Sequence, residues 1–138
     1  MSDDDRATLV DSNVLLDLIT NDPTWADWSS KQLAAALDRG PVLVNQVIYG
    51  EVSLGFSSIE ALDHALSEDR FVRANLPWAA TFLAARAYRI YRARGGTRNS
   101  TLPDFFIGAH AAVLGLRLLT RGAARYRTYF PTVELIAP

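Results

Sequence analysis

Short apolar runs alternate with longer amphipathic stretches along the chain. Ala7 to Asp11 predicts a strand, and Asn13 to Thr20 a helix that the Asn21-Asp22-Pro23 turn closes. A second helix is expected from Trp25 to Asp38, stopped at Arg39-Gly40. Pro41-Val42-Leu43-Val44 is continuously apolar, as a strand covered on both faces would be. Asn45 suits the N-cap of a helix running to Gly55 or Phe56, and Ser57 or Ser58 caps another over Ile59 to Ser67. Phe71 to Leu76 reads as a loop or a short extended piece. Pro77 introduces the longest helix, Trp78 to Arg94, which Gly95-Gly96 terminates. A polar loop over Thr97 to Leu102 leads to a helix from Pro103 to Leu114, with Gly115 as its stop. Arg117 to Thr120 and Val133 to Ile136 complete four expected strands.

Strands alternating with helices predict an α/β fold: three layers, α/β/α, around a small, mainly parallel sheet. No repeat or linker divides the 138 residues, so one domain is expected over 1–138. In such sheets ligands collect beyond the carboxyl ends of the strands. Asp11 ends the first strand, Asn45 the second and Thr120 the third, which draws attention to polar residues near those ends.

Three carboxylates stand against apolar surroundings. Asp11 closes the first apolar run. Glu51 has Val47, Ile48, Leu54 and Gly55 as its helical neighbours, in the middle of an apolar stripe. Asp104 opens the segment Pro103-Asp104-Phe105-Phe106-Ile107. Taken singly, Asp11 is also a good turn former or N-cap, Glu51 could sit at the rim of its stripe, and Asp104 could be a helix-start charge. Together, at one sheet edge, they point to a hard divalent cation, Mg²⁺ or Mn²⁺, since a carboxylate against apolar surface needs a positive partner. Ser12 and Asn13 begin the first helix, where they either cap it or orient phosphate and water. Thr120, Arg121 and Arg125 follow the third strand, and the arginines are suited to phosphate. His110, among Ala and Gly on a helix, reads as a packed side chain rather than a ligand. The absence of Cys leaves side-chain thiol catalysis out.

Charge alters this picture in one respect. Residues 1–69 carry 13 Asp or Glu against 3 Lys or Arg, whereas residues 70–138 carry 2 acids against 11 Arg. The net charge of −1 hides that division, and it suggests an anionic partner for the second half. Tyr88, Tyr91, Tyr126 and Tyr129 interleave with these arginines, which suits base stacking, although their helical spacing suits packing better. The start of the chain lacks a signal-peptide pattern, no apolar run approaches the roughly 20 residues of a membrane span, and a cysteine-free chain fits a reducing compartment. A cytoplasmic location without membrane contact is the expectation.

In order, Leu9-Val10-Asp11-Ser12-Asn13-Val14-Leu15-Leu16-Asp17, then Glu51, then Leu102-Pro103-Asp104-Phe105-Phe106-Ile107-Gly108-Ala109-His110-Ala111, then Leu118-Leu119-Thr120-Arg121 resemble the PIN-domain ribonucleases. Within these the resemblance is to the VapC-type toxins of toxin–antitoxin pairs, and it extends through Tyr126 to Pro131. It implies Mg²⁺- or Mn²⁺-dependent cleavage of RNA, with Asp11, Glu51 and Asp104 as catalytic metal carboxylates, together with a homodimer and a small antitoxin partner. The family commonly has a fourth acid directly after the Thr-Arg pair, and here that position is Gly122. Asp17, at i+4 from Asn13, is the candidate to compensate. The loss at Gly122 motivates an alternative: a PIN-fold module that binds RNA or an antitoxin without cutting. A phospho-accepting role for Asp11 is disfavoured, because no second acid adjoins it and no lysine occurs late in the chain.

Overall fold

The computed structural model of the protein describes residues 6–97 and 101–138. Among these residues five strands form one sheet: β1 (Thr8–Val10), β2 (Val42–Val44), β3 (Val72–Arg73), β4 (Arg117–Leu119) and β5 (Leu135–Ile136). Their order is β3-β2-β1-β4-β5, and every neighbouring pair is parallel. Seven described helices connect them: α1 (Ser12–Ile19), α2 (Ala26–Arg39), α3 (Gln46–Ser53), α4 (Ile59–Ala65), α5 (Trp78–Ala93), α6 (Leu102–Leu114) and α7 (Ala124–Tyr129).

β1, β2 and β4 are buried along their whole length, which is why their residues show no polar alternation. The chain steps from β1 to β2 to β3 in one direction and then returns past β1 to β4. The reversal falls between β1 and β4. Right-handed crossovers therefore send the helices that follow β1 and those that follow β4 to opposite faces of the sheet, opening a crevice at the carboxyl ends of the two strands.

Most expected elements are present within a residue or two of their bounds, and the caps act as read: Asn45 accepts from the Ile48 amide at 2.9 Å and Ser58 from that of Ala61 at 3.1 Å. Two features differ. The extended piece at Phe71 to Leu76 contains a fifth strand, β3, which pairs Leu43 with Val72 and Val44 with Arg73. The segment after β4, with no expected element, forms the six-residue helix α7. It has no side-chain cap; packing holds it, through the buried rings of Tyr126 and the following Phe130. Gly108 on α6 makes room for them, since a Cβ there would lie 2.4 Å from the Phe130 ring and 3.0 Å from that of Tyr126. Residues 98–100 of the expected polar loop lie outside the described residues.

Candidate functional site

Asp11 follows β1 at the N-cap position of α1, and its amide continues the ladder by donating to the Leu119 carbonyl at 2.8 Å. Its side chain makes no cap hydrogen bond. Instead Oδ2 accepts from the Thr120 hydroxyl at 2.9 Å and the Tyr126 hydroxyl at 2.8 Å, with Asn13 Nδ2 at 3.5 Å. Asn13 Nδ2 also reaches Thr120 Oγ1, at 3.3 Å. Ser12 Oγ lies 2.9 Å from Glu51 Oε1 and 3.5 Å from Asp11 Oδ1, so one hydroxyl adjoins two of the three carboxylates. Asp104, in the first turn of α6, is ion-paired with Arg125 of α7 at 2.6 Å.

Burial and mutual repulsion govern how these acids titrate. Asp11 is 3 % exposed, and burial raises its pKa against the opposing hydrogen bonds of Tyr126, Thr120 and Ser12. Glu51 is raised by burial and by the nearby Asp11 charge, with the Ser12 hydroxyl opposing. Asp104 is pushed up to about 6, chiefly by burial and then by Asp11, with Glu51 adding to the repulsion and Arg125 opposing both. Glu51 and Asp104 thus both feel the charge of Asp11, and Asp104 that of Glu51 as well. The hydroxyl of Tyr126 is pushed well above its usual range by burial and by Asp11. The carboxylates come to one edge as a hydroxyl-bridged pair and a neighbouring ion pair, a looser arrangement than a cage; among the described residues no three His, Asp or Glu side chains stand as a ready ligand set. The donor chemistry nevertheless fits a hard divalent ion. All three groups offer carboxylate oxygen, and burial, the leading cause of their raised proton affinities, deprives their charged forms of solvation that a cation would replace.

A family model of the PIN domain matches residues 8–131, from the start of β1 to just past α7. The chain belongs to the PIN domain family. Among solved structures, this PIN domain is similar to a chain of VapBC2 from Rickettsia felis bound to a promoter DNA fragment, with a TM-score of 0.73 and 15% identity over 96% of this chain and 98% of that one. VapBC-1 from nontypeable Haemophilus influenzae gives 0.70 and 15%, over 95% and 97%. A toxin–antitoxin complex from Klebsiella pneumoniae gives 0.63 and 22%, over 91% and 94%. No curated protein matches the chain in sequence.

The remaining candidate residues named from the sequence separate into two groups. Ser12, Asn13 and Thr120 touch the acids directly. Asp17 does not join them: buried on α1, it accepts from Ser29 Oγ at 2.8 Å and from Arg121 Nε at 2.9 and 3.1 Å. Arg121 also lies over the Trp25 ring, 5.7 Å from its centre. Several arginines of the basic half are therefore paired internally, including Arg117, fully buried at the far end of β4 with Glu134 at 2.6 Å. Tyr88, Tyr91 and Tyr129 pack with Phe105 in one aromatic cluster, which accounts for their helical spacing.

Two contributors are not visible in the sequence. Tyr126 carries no pattern that distinguishes it from its neighbours, yet it alone of the tyrosines reaches Asp11. The other is a link between helices. His110 on α6 is fully buried, and its Nδ1 lies 3.0 Å from Asn45 Nδ2. Because Asn45 Oδ1 already accepts from Ile48, the amide nitrogen faces the ring and Nδ1 is the acceptor. The proton then resides on Nε2, which has no partner among the described residues. This contact ties the head of α3, which carries Glu51, to α6, which carries Asp104.

Proposed function

We propose that this PIN domain is the toxin of a toxin–antitoxin pair and a divalent-metal-dependent endoribonuclease. The observation that carries this reading is the convergence of Asp11, Glu51 and Asp104 at the β1/β4 crevice with their charges mutually opposed. They would hold Mg²⁺ or Mn²⁺, which when bound supplies Lewis acidity, making water a better nucleophile and offsetting charge on the phosphate. Tyr126, Thr120 and Ser12 fix Asp11 and Glu51 in place by donating hydroxyl hydrogens. The half-exposed rim residues Asn13, Arg121 and Arg125 orient the RNA phosphate. The likeness to chains in VapBC and toxin–antitoxin complexes supports a small antitoxin partner, and the homodimer rests on the resemblance in sequence motifs alone. No described helix is long and apolar enough to cross a membrane.

RNA cleavage assayed with Mg²⁺ or Mn²⁺ against EDTA tests the proposal, with Asp11→Asn and Asp104→Asn as controls. Cleavage should need the metal and both carboxylates. Activity that persists in EDTA, or survives both substitutions, overturns it. The Gly122 position favours one competing reading, a module that binds without cutting. Tight RNA binding with no turnover across several metals would establish that instead.

A further inference from the structure

Helix α7 places two consecutive side chains on two different acids. The Tyr126 hydroxyl donates to Asp11 at 2.8 Å, and Arg125 Nη1 to Asp104 at 2.6 Å. The two contacts differ in how firmly they are held. Tyr126 is 1 % exposed and its ring is enclosed beneath α6, so it leaves only if the core opens. Arg125 is 31 % exposed, on a flexible stem beside the Tyr91 ring, 5.5 Å from its centre. One contact is part of the core; the other is a cation at the rim that solvent reaches.

Resting on the nuclease reading above, we propose that Arg125 is an internal counter-ion standing where the divalent cation would act on Asp104, so that metal loading is an exchange in which Arg125 must give way. Arg125 already engages Oδ2 of Asp104, and a guanidinium and a divalent ion drawn to the same carboxylate repel each other, so each weakens the other's hold on it. Asp104 needs some cation, because it is more than half buried beside two other acids. In the absence of metal, Arg125 is the one that answers the need. The exchange keeps the site closed at low metal concentration, and it releases at the rim a side chain suited to phosphate.

Calorimetric titration with Mn²⁺ of the wild type, Arg125→Met and Arg125→Lys tests this. Methionine keeps an apolar stem against Tyr91 while removing the charge. Arg125→Met should bind Mn²⁺ about fivefold more tightly than wild type at low ionic strength, as loss of one half-exposed competing ion pair implies. Arg125→Lys should stay near wild type, and the gap should narrow as salt is added. Equal or weaker Mn²⁺ binding by Arg125→Met, with binding by the wild type intact, overturns the exchange and leaves the nuclease reading standing. Tighter binding by Arg125→Met together with no RNA cleavage by the wild type supports the exchange and removes the nuclease reading. No Mn²⁺ uptake by any of the three proteins overturns both.

Discussion

Asp17 holds Arg121 by both carboxylate oxygens, at 2.9 and 3.1 Å from the same Nε, while Ser29 of α2 donates to it from the other side at 2.8 Å. A carboxylate that the fold buries on α1 thereby fixes an arginine that follows β4, across the mouth of the crevice. As a compensating metal ligand Asp17 would need its oxygens turned toward Asp11; here they are engaged by Arg121 and Ser29.

Asp17→Asn is accordingly expected to act on stability. An amide can still accept from Ser29, but the ion pair is lost. Because Arg121 is about a third exposed, the cost is discounted to about 1–2 kcal/mol. Urea unfolding measures this, with Mn²⁺ affinity expected to stay at the wild-type value. A fall in Mn²⁺ affinity would return Asp17 to the ligand set.

Tyr126→Phe removes one donor from Asp11 and little volume. A hydrogen bond to a charged, buried acceptor contributes about 1.5 kcal/mol, so the unfolding free energy from urea titration should fall by that amount and the midpoint with it. The pKa of Asp11 should rise further, since the Tyr126 hydroxyl is the foremost of the contacts that lower it. An unchanged midpoint would show that the hydroxyl does not support the acid.

At Gly122 an added Cβ would meet only Asn13 Nδ2, at 3.7 Å, which is ordinary contact distance. The backbone amide there already bonds Thr120 Oγ1 at 3.1 Å. Gly122→Asp should therefore fold, and it would restore an acid beside Thr120 and Asn13. Calorimetry should record tighter or additional Mn²⁺ binding. No change in affinity or stoichiometry would mean that position 122 does not face the cation.

The pH dependence of the metal-free protein follows from the sign of the shifts. Asp11, Glu51 and Asp104 all bind protons more tightly folded than unfolded, Asp104 with a pKa of about 6 against 3.8. Between these values the folded state holds more protons at Asp104, so the contribution of that residue to stability falls as pH rises from about 4 to about 6, while His110, kept neutral by burial, acts in the opposite direction. Asp104→Asn should flatten that slope. Unfolding free energies measured in chelator across this range check it, and a slope equal to that of the wild type would count against Asp104 as its source.

Residues that act through local rules were legible before the fold was known. Continuous apolar runs marked β1, β2 and β4 because a strand covered on both faces has no polar side to display. Asn45, Ser58, Gly40 and Gly115 marked helix ends because unsatisfied backbone groups are local to each end. The three acids stood out because each interrupts or borders an apolar pattern. What the tertiary structure alone decided was pairing. Whether Arg125 meets Asp104 or solvent, whether Asp17 meets Arg121 or the other acids, and which tyrosine reaches Asp11 depend on contacts between residues 21 to 115 positions apart. The short helix α7, which makes two of those three contacts, has no capping signal of its own. Its position comes from Tyr126 and Phe130 entering the space that Gly108 leaves open, and no local pattern encodes that fit.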